Sequence, residues 1–148
     1  MPEEGVPKGT IEQRKWESSK VYPDTKRDYW VYIPEQYNAE EPACLMVFQD
    51  GGAYVHPEGQ VRATTVFDNL IHSGEMPITI AVFVNPGMIG EESTRPIEYV
   101  DDGKVYSRFL LEEIIPEVTK DYNLVDDREG WSICGMSDGG LCSFAVAW

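Results

Sequence analysis

Basic residues are scarce in this chain of 148 residues. It has 12 lysines and arginines against 26 aspartates and glutamates, which gives a formal net charge of −14. Nucleic acids and anionic membranes are bound through clustered lysine and arginine side chains, and an acidic surface repels their phosphate groups. We therefore expect neither a nucleic acid nor a membrane among the partners of this protein.

Long apolar runs and a secretory leader are also lacking. No run is long enough to cross a bilayer, and the amino terminus reads Met1-Pro2-Glu3-Glu4-Gly5, without an apolar signal segment. The sequence thus predicts a soluble globular domain. It leaves both a cytoplasmic location and a processed secreted or periplasmic one open.

Cysteine and histidine are few. Cys44, Cys134 and Cys142 each lie in an apolar segment, and their spacing matches no zinc motif. Because their number is odd, a disulfide framework is disfavoured, and we expect buried free thiols. No pattern indicates a metal or a cofactor, so we expect neither. The two histidines are His56 and His72.

Apolar runs separated by turn signals predict an α/β fold. Strands are predicted for residues 10–20, 27–34, 43–48, 78–84 and 131–134, and helices for residues 61–73, 106–122 and 141–148. Pro116 should kink the second helix or begin a new one. Residues 1–9 are expected to be a loose leader and residues 86–104 a long loop. Strands that alternate with helices favour a mostly parallel sheet with helices on both faces, which binds ligands beyond the carboxyl ends of its strands.

The most informative motif is G-x-S-x-G at residues 135–139. It follows the apolar run 131–134 and precedes the apolar run 141–148. Strand, glycine-flanked serine and buried helix form the context of a nucleophile elbow, in which the serine has a strained backbone and side chains at 135 and 139 have no room. We interpret Ser137 as the nucleophile. The alternative is a turn that merely caps a helix.

Five segments, in this order, carry a resemblance to a known family: Tyr29-Trp30-Val31-Tyr32-Ile33-Pro34, Val47-Phe48-Gln49-Asp50-Gly51-Gly52, residues 95–99, residues 108–116 and the G-x-S-x-G motif. On them, the chain from about Thr10 onward resembles the esterase branch of the α/β-hydrolase superfamily, similar to enterobactin esterases, feruloyl esterases and esterase-D-type enzymes. The resemblance implies that residues 10–148 are the amino-terminal portion of such a domain. It also implies hydrolysis of a small-molecule or carbohydrate-linked carboxylic ester through an acyl-serine.

The catalytic order in this fold is serine, then an acid, then histidine. Both histidines precede Ser137, and the chain ends eleven residues after it. We therefore expect the base and its acid beyond Trp148, and we expect these 148 residues alone to be inactive. The backbone N–H of Asp138 and one N–H from Gly52 or Ala53 should form the oxyanion hole.

Four other residues are candidates for the mouth of the site: Tyr54, His56, Arg95 and Glu98. His56 follows the glycine loop and is expected at the rim rather than as the base. Arg95 and Glu98 match the R-x-x-E loop of the resembled family. We interpret them as an ion pair that shapes this loop rather than as catalytic groups.

The strand at Trp131–Cys134 is expected to pair on one side with the strand at 43–48. Its other edge should be covered by a strand after Trp148, from the remainder of the domain or from another chain, because a bare strand edge favours association. Two further functions stay open. They are a non-catalytic α/β-hydrolase-like binding module, and a serine-dependent peptidase or acyltransferase on the same fold.

Overall fold

A five-stranded sheet forms the centre of the molecule. The computed structural model describes residues 2–148. The sheet consists of β1 (Thr10–Trp16), β2 (Arg27–Ile33), β3 (Cys44–Gln49), β4 (Thr79–Val84) and β7 (Trp131–Cys134), in the order β1-β2-β4-β3-β7. A separate hairpin joins β5 (Met88–Ile89) to β6 (Glu92–Ser93). All five main strands lie where the sequence predicts them, although β1 ends four residues earlier.

The sheet is mixed rather than mostly parallel. β3 runs parallel to both β4 and β7, whereas β2 runs antiparallel to both β1 and β4. Residues 17–26, which connect β1 to β2, contain no helix that could carry the chain back across the sheet. A parallel pairing of β1 with β2 would need such a crossover. The parallel part is therefore confined to β4, β3 and β7.

Helices cover both faces of the sheet. They are α1 (Gly52–Val55), α2 (Ala63–Ser73), α3 (Arg95–Tyr99), α4 (Lys104–Phe109), α5 (Ile115–Thr119) and α6 (Asp138–Ala147). On one face, α1 and α2 pack their apolar side chains against Phe48 and Phe83. On the other, α4 and α5 pack against Leu45 and Val82. Successive side chains of β3 and β4 thus enter opposite cores, which explains why these strands are apolar throughout.

A π-helical segment, Leu110–Ile114, separates α4 from α5. Pro116 lies in the first turn of α5, as the sequence predicts for a new helix start, because proline has no N–H to continue the preceding hydrogen-bond pattern. The segment carries Glu113, which is buried. Its carboxylate accepts hydrogen bonds from the Trp16 indole at 2.9 Å and from the backbone N–H of Lys20 at 2.7 Å. This contact attaches the end of β1 to the helices.

Residues 86–104 are more ordered than predicted, since they contain the β5–β6 hairpin and α3. The prediction of a long loop is wrong here because elements this short show no periodicity. Near the amino terminus, residues 2–9 contain neither helix nor strand, and the Gly9 N–H donates to the Asp68 carboxylate of α2 at 2.8 Å.

β7 lies at the edge of the sheet and is paired, among the described residues, with β3 alone. The predicted pairing with the strand at 43–48 is confirmed. An open cleft of about 660 Å³ lies beside β7, lined partly by Leu111, Ile133 and Val146. No helix formed by residues 2–148 combines the length and the apolarity needed to cross a bilayer.

Candidate active site

A sharp turn joins the parallel strand β7 to helix α6, and Ser137 lies at its apex. Ser137 has φ 56° and ψ −126°, a strained conformation for a residue with a side chain. Its carbonyl oxygen accepts the N–H groups of Gly140 at 2.9 Å and Leu141 at 3.1 Å, which begins the helix. The Ser137 side chain is exposed and has no hydrogen-bond partner among residues 2–148. The turn therefore presents a free hydroxyl to solvent.

Gly135 makes this turn possible. A Cβ atom at Gly135 would lie 2.3 Å from the carbonyl oxygen of Gly139, closer than two atoms can approach. At Gly139, the nearest atom to an added Cβ would be a carboxylate oxygen of Asp50 at 3.4 Å, which is ordinary contact. The expectation that neither position has room for a side chain therefore holds at Gly135 and is wrong at Gly139.

Helix α6 is fixed to the neighbouring strand β3 by a buried hydrogen bond. The Ser143 hydroxyl donates to the Gln49 side-chain oxygen at 2.9 Å, and Gln49 is the last residue of β3. Because β3 and β7 are adjacent and parallel, Asp50 and Ser137 follow the same edge of the sheet. The structure thus brings the loop after β3 and the Ser137 turn together, as the parallel pairing requires.

The N–H groups predicted for the oxyanion hole differ in their availability. The Asp138 N–H has no partner among residues 2–148. The Gly52 N–H donates to the side-chain oxygen of Asn85 at 2.9 Å, and the Ala53 N–H donates to the Asp50 carbonyl at 2.8 Å. A substrate oxygen would have to displace the Asn85 side chain to reach the Gly52 N–H.

Arg95 joins the two sides of the site. Its Nε and Nη2 donate to the two carboxylate oxygens of Asp50 at 2.9 Å and 2.8 Å, and its Nη1 donates to Asp138 at 2.6 Å. Arg95 also lies over the ring of Tyr99, 5.0 Å from the ring centroid. The Asp50 hydrogen bond is the leading cause that raises the pKa of Arg95. The predicted ion pair between Arg95 and Glu98 is therefore wrong.

Glu98 belongs to a different, fully buried pair. Its carboxylate accepts two hydrogen bonds from Arg27 of β2, at 2.7 Å and 2.9 Å, and neither side chain reaches solvent. Thr94 and the backbone N–H of Gly87 donate to the same carboxylate at 2.5 Å and 3.0 Å. Glu98 thus ties α3 to β2 and to the loop after β4. It does not line the mouth of the site, contrary to expectation.

The remaining candidates for the mouth are divided between core and surface. Tyr54 is buried and packs against Phe48, with 5.1 Å between the ring centroids, so it is part of the core rather than the rim. His56 is exposed, and its ring centroid lies 6.4 Å from that of Trp30. Neither His56 nor His72 forms a hydrogen bond to Ser137 within residues 2–148.

The cysteines are unpaired thiols. Cys142 is buried, whereas Cys44 and Cys134 are partly buried. Burial raises the pKa of the Cys142 thiol to about 12 and also raises that of Cys134. A thiol with a raised pKa is a poor nucleophile at neutral pH.

Three further residues organise the site: Asp50, Asn85 and Tyr99. The first two directly follow the buried strands β3 and β4, so the sequence places them at the same edge of the sheet as Ser137, although it assigns them no role. Tyr99 gave no such signal. Its hydroxyl accepts the backbone N–H of Asp50 at 2.9 Å, so it holds a residue whose own φ is 54°.

Comparison with known proteins agrees with this geometry. The model of the family described as "Putative esterase" matches residues 20–148. The chain belongs to this esterase family. Among solved structures, the ferulic acid esterase of Anaeromyces mucronatus is 20% identical, with a TM-score of 0.68 over 94% of this chain and 53% of that one. The enterobactin esterase of Shigella flexneri is 18% identical, with a TM-score of 0.75 over 97% of this chain and 35% of that one.

A third similar structure is the feruloyl esterase module of Clostridium thermocellum, which is 18% identical with a TM-score of 0.67. It is matched over 94% of this chain and 49% of its own length. The chain thus spans about half the length of the feruloyl esterases, and about a third of the enterobactin esterase. At this identity the likeness concerns the fold, and the fold is that of esterases in the α/β-hydrolase superfamily.

Proposed function

We propose that the intact protein is a serine carboxylic-ester hydrolase that acts through an acyl-serine intermediate. The observation that carries the proposal is the exposed, unpartnered hydroxyl of Ser137 at a strained strand-to-helix turn, in a chain that belongs to an esterase family. Such a turn presents a serine at the carboxyl edge of the sheet, where α/β folds bind their substrates.

In the proposed reaction, a base removes the Ser137 proton while Oγ attacks the ester carbonyl carbon. The carbonyl oxygen becomes an oxyanion, which the Asp138 N–H and, after displacement of Asn85, the Gly52 N–H would stabilise. Collapse of this intermediate expels the alcohol and leaves an acyl-serine. Water, activated by the same base, then releases the acid and regenerates Ser137.

The base and its orienting acid are proposed to come from a segment beyond residue 148. In the described part of the chain, neither histidine contacts Ser137. This observation also favours a second candidate for residues 1–148 taken alone, a non-catalytic α/β-hydrolase-like binding module. The substrate class proposed for the intact protein is a small-molecule or carbohydrate-linked ester, by analogy with similar structures named as ferulic acid and enterobactin esterases.

Kinetics of the intact protein with a p-nitrophenyl acyl ester test the proposal. Ser137→Ala should abolish hydrolysis and leave far-ultraviolet circular dichroism unchanged. Ser73→Ala is the matched control, because Ser73 is exposed at the end of α2 and donates only to the Leu70 carbonyl. A Ser137→Ala protein that keeps its turnover would refute the proposal, and an inactive wild type that binds esters would favour the binding module.

A further inference from the structure

The side chain of Arg95 contacts both carboxylates that flank the proposed site. Asp50 follows β3 and directly precedes the Gly51-Gly52 loop, and Asp138 directly follows Ser137. The guanidinium binds Asp50 through two parallel hydrogen bonds and Asp138 through a third, at 2.6 to 2.9 Å. A planar fork of this kind fixes the orientation of a carboxylate as well as its distance.

Helix α3 holds Asp50 from both of its ends. Arg95, its first residue, binds the Asp50 carboxylate, and Tyr99, its last, accepts the Asp50 backbone N–H at 2.9 Å. The buried Arg27–Glu98 pair in turn attaches α3 to β2. Asp50 has φ 54°, so its backbone is strained and needs such support. The turn that leads from β3 to Gly52, the first residue of α1, is therefore positioned by a helix that is itself fixed to the sheet.

The contact between Arg95 and Asp138 also changes the charge beside the proposed oxyanion. The Asp138 N–H is the free donor at the turn. A nearby carboxylate would repel the oxyanion that develops there and would so raise the energy of the transition state. Arg95 supplies the opposite charge to that carboxylate. The side chain of Arg95 is 29% exposed and that of Asp138 is 43% exposed. Both side chains therefore reach solvent on the side where the Ser137 side chain is exposed.

We propose that Arg95 is a positioning residue for the ester hydrolysis: it holds the Asp50 loop against the Ser137 turn and neutralises Asp138 beside the forming oxyanion. The inference rests on the proposed function of Ser137. It assigns Arg95 no contact with the reacting atoms. Its effect acts on the transition state, and therefore belongs to kcat rather than to KM.

The test measures kcat and KM of the intact protein for a p-nitrophenyl acyl ester. R95Q should lower kcat by about 10²-fold, comparable to the loss of one oxyanion donor, and should change KM little. R95K, which keeps the charge without the fork, should fall between R95Q and wild type. R108Q is the matched control, because Arg108 of α4 forms an exposed pair with Glu112 of the π-helical segment, and its kcat should equal that of wild type.

The double variant R95Q/D138N separates charge neutralisation from a merely structural role. Removing the Asp138 charge should recover at least about tenfold of the kcat lost in R95Q, because the carboxylate beside the Asp138 N–H is then neutral while Asp50 is unchanged between the two variants. A double variant no faster than R95Q would overturn the proposal, as would R95Q with a wild-type kcat. If Ser137→Ala is inactive and R95Q is unaffected, only this inference fails. If Ser137→Ala keeps its turnover, the proposed function fails, and this inference fails with it.

Discussion

Two neighbouring features shape the turn at Ser137. Gly135 leaves room for the tight return of the chain at Gly139, and the buried bond between Ser143 and Gln49 fixes the helix that follows. Because the turn is already formed, its rearrangement would add nothing to the free-energy barrier of the proposed reaction. The Gly52 N–H is the exception, because it already donates to the Asn85 side chain.

Substitutions of Asn85 test whether the Gly52 N–H binds the oxyanion. N85D should lower kcat for ester hydrolysis by about 10²-fold, because a carboxylate holds an N–H more strongly than an amide oxygen does and adds negative charge beside the oxyanion. N85A removes the competing acceptor and should retain a clearly higher kcat than N85D. Equal kcat values for the two variants, at wild-type circular dichroism, would argue against Gly52 as a donor.

Single residues were predictable where a motif ties chemistry to backbone geometry. The G-x-S-x-G spacing predicts a strained serine between a strand and a helix, and the structure has that turn at Ser137. The partners of Arg95 were not predictable. Glu98 is three residues away in sequence, whereas Asp50 and Asp138 are 45 and 43 residues away. Which carboxylate meets the guanidinium is decided by the sheet order, which sequence spacing does not encode.

Among the elements, the short helix α3 depends most on a single buried ion pair. E98Q leaves the Arg27 guanidinium buried without a countercharge, and we expect the free energy of unfolding to fall by about 3–5 kcal/mol. Urea denaturation at pH 7 measures this change. E112Q, which breaks an exposed pair, is the control and should keep the wild-type midpoint. An E98Q midpoint equal to that of E112Q would show that the buried pair is unimportant.

Glu113 gives the π-helical segment a dependence on pH. Burial alone would raise the pKa of the Glu113 carboxyl, but hydrogen bonds from Ser19, Val21, Trp16 and Lys20 outweigh it and hold the pKa below its usual range. The unfolded chain thus binds a proton more readily than the folded one. The stabilisation by Glu113 is complete above the unfolded pKa, and is lost as the pH falls through the folded pKa.

E113Q therefore should be less stable than wild type at pH 7, and the difference in unfolding free energy should narrow as the pH falls below the ordinary glutamate pKa. Thermal denaturation of both proteins across this acidic range measures the narrowing. If the difference in unfolding free energy stayed constant with pH, the charge of Glu113 would not contribute to stability, and only its shape and neutral hydrogen bonds would.

Long and deeply buried helices and strands were easier to predict from the sequence than short or exposed ones. β3 and β4 are continuous apolar runs because each faces two cores, and α2 shows a helical period that ends at Gly74 with φ 75°. The hairpin and α3 were missed, because two to five residues are too few to show a period. The direction of β2 was also missed, although its half-buried alternation is typical of an antiparallel strand.

At the scale of the whole molecule, β7 has a free edge among residues 2–148, and the end of the chain exposes large apolar side chains. Leu141, Phe144 and Trp148 are 66%, 70% and 97% exposed, which is unusual for side chains of this size. An unpaired strand edge and an apolar patch of this kind each favour association. We propose that the remainder of the hydrolase domain, or another chain, covers both.

Light scattering on residues 1–148 expressed alone tests this proposal. We expect oligomers or aggregates, and we expect L141S/F144S to shift the mass toward that of a monomer. The matched control is V66S, since Val66 is 45% exposed on α2, which packs on the opposite face of the sheet from Cys142 of α6. A monodisperse monomer of the unmodified chain would contradict the proposed exposed interface.

Labelling with a fluorophosphonate probe tests whether Ser137 is the nucleophile. The intact protein is labelled during ester turnover, digested, and the modified peptide is sequenced by mass spectrometry. We expect one adduct, on the Ser137 hydroxyl, whose formation stops hydrolysis and which is absent from Ser137→Ala. Hydrolysis that is blocked by an adduct on another residue, or that continues with Ser137 fully labelled, would contradict it.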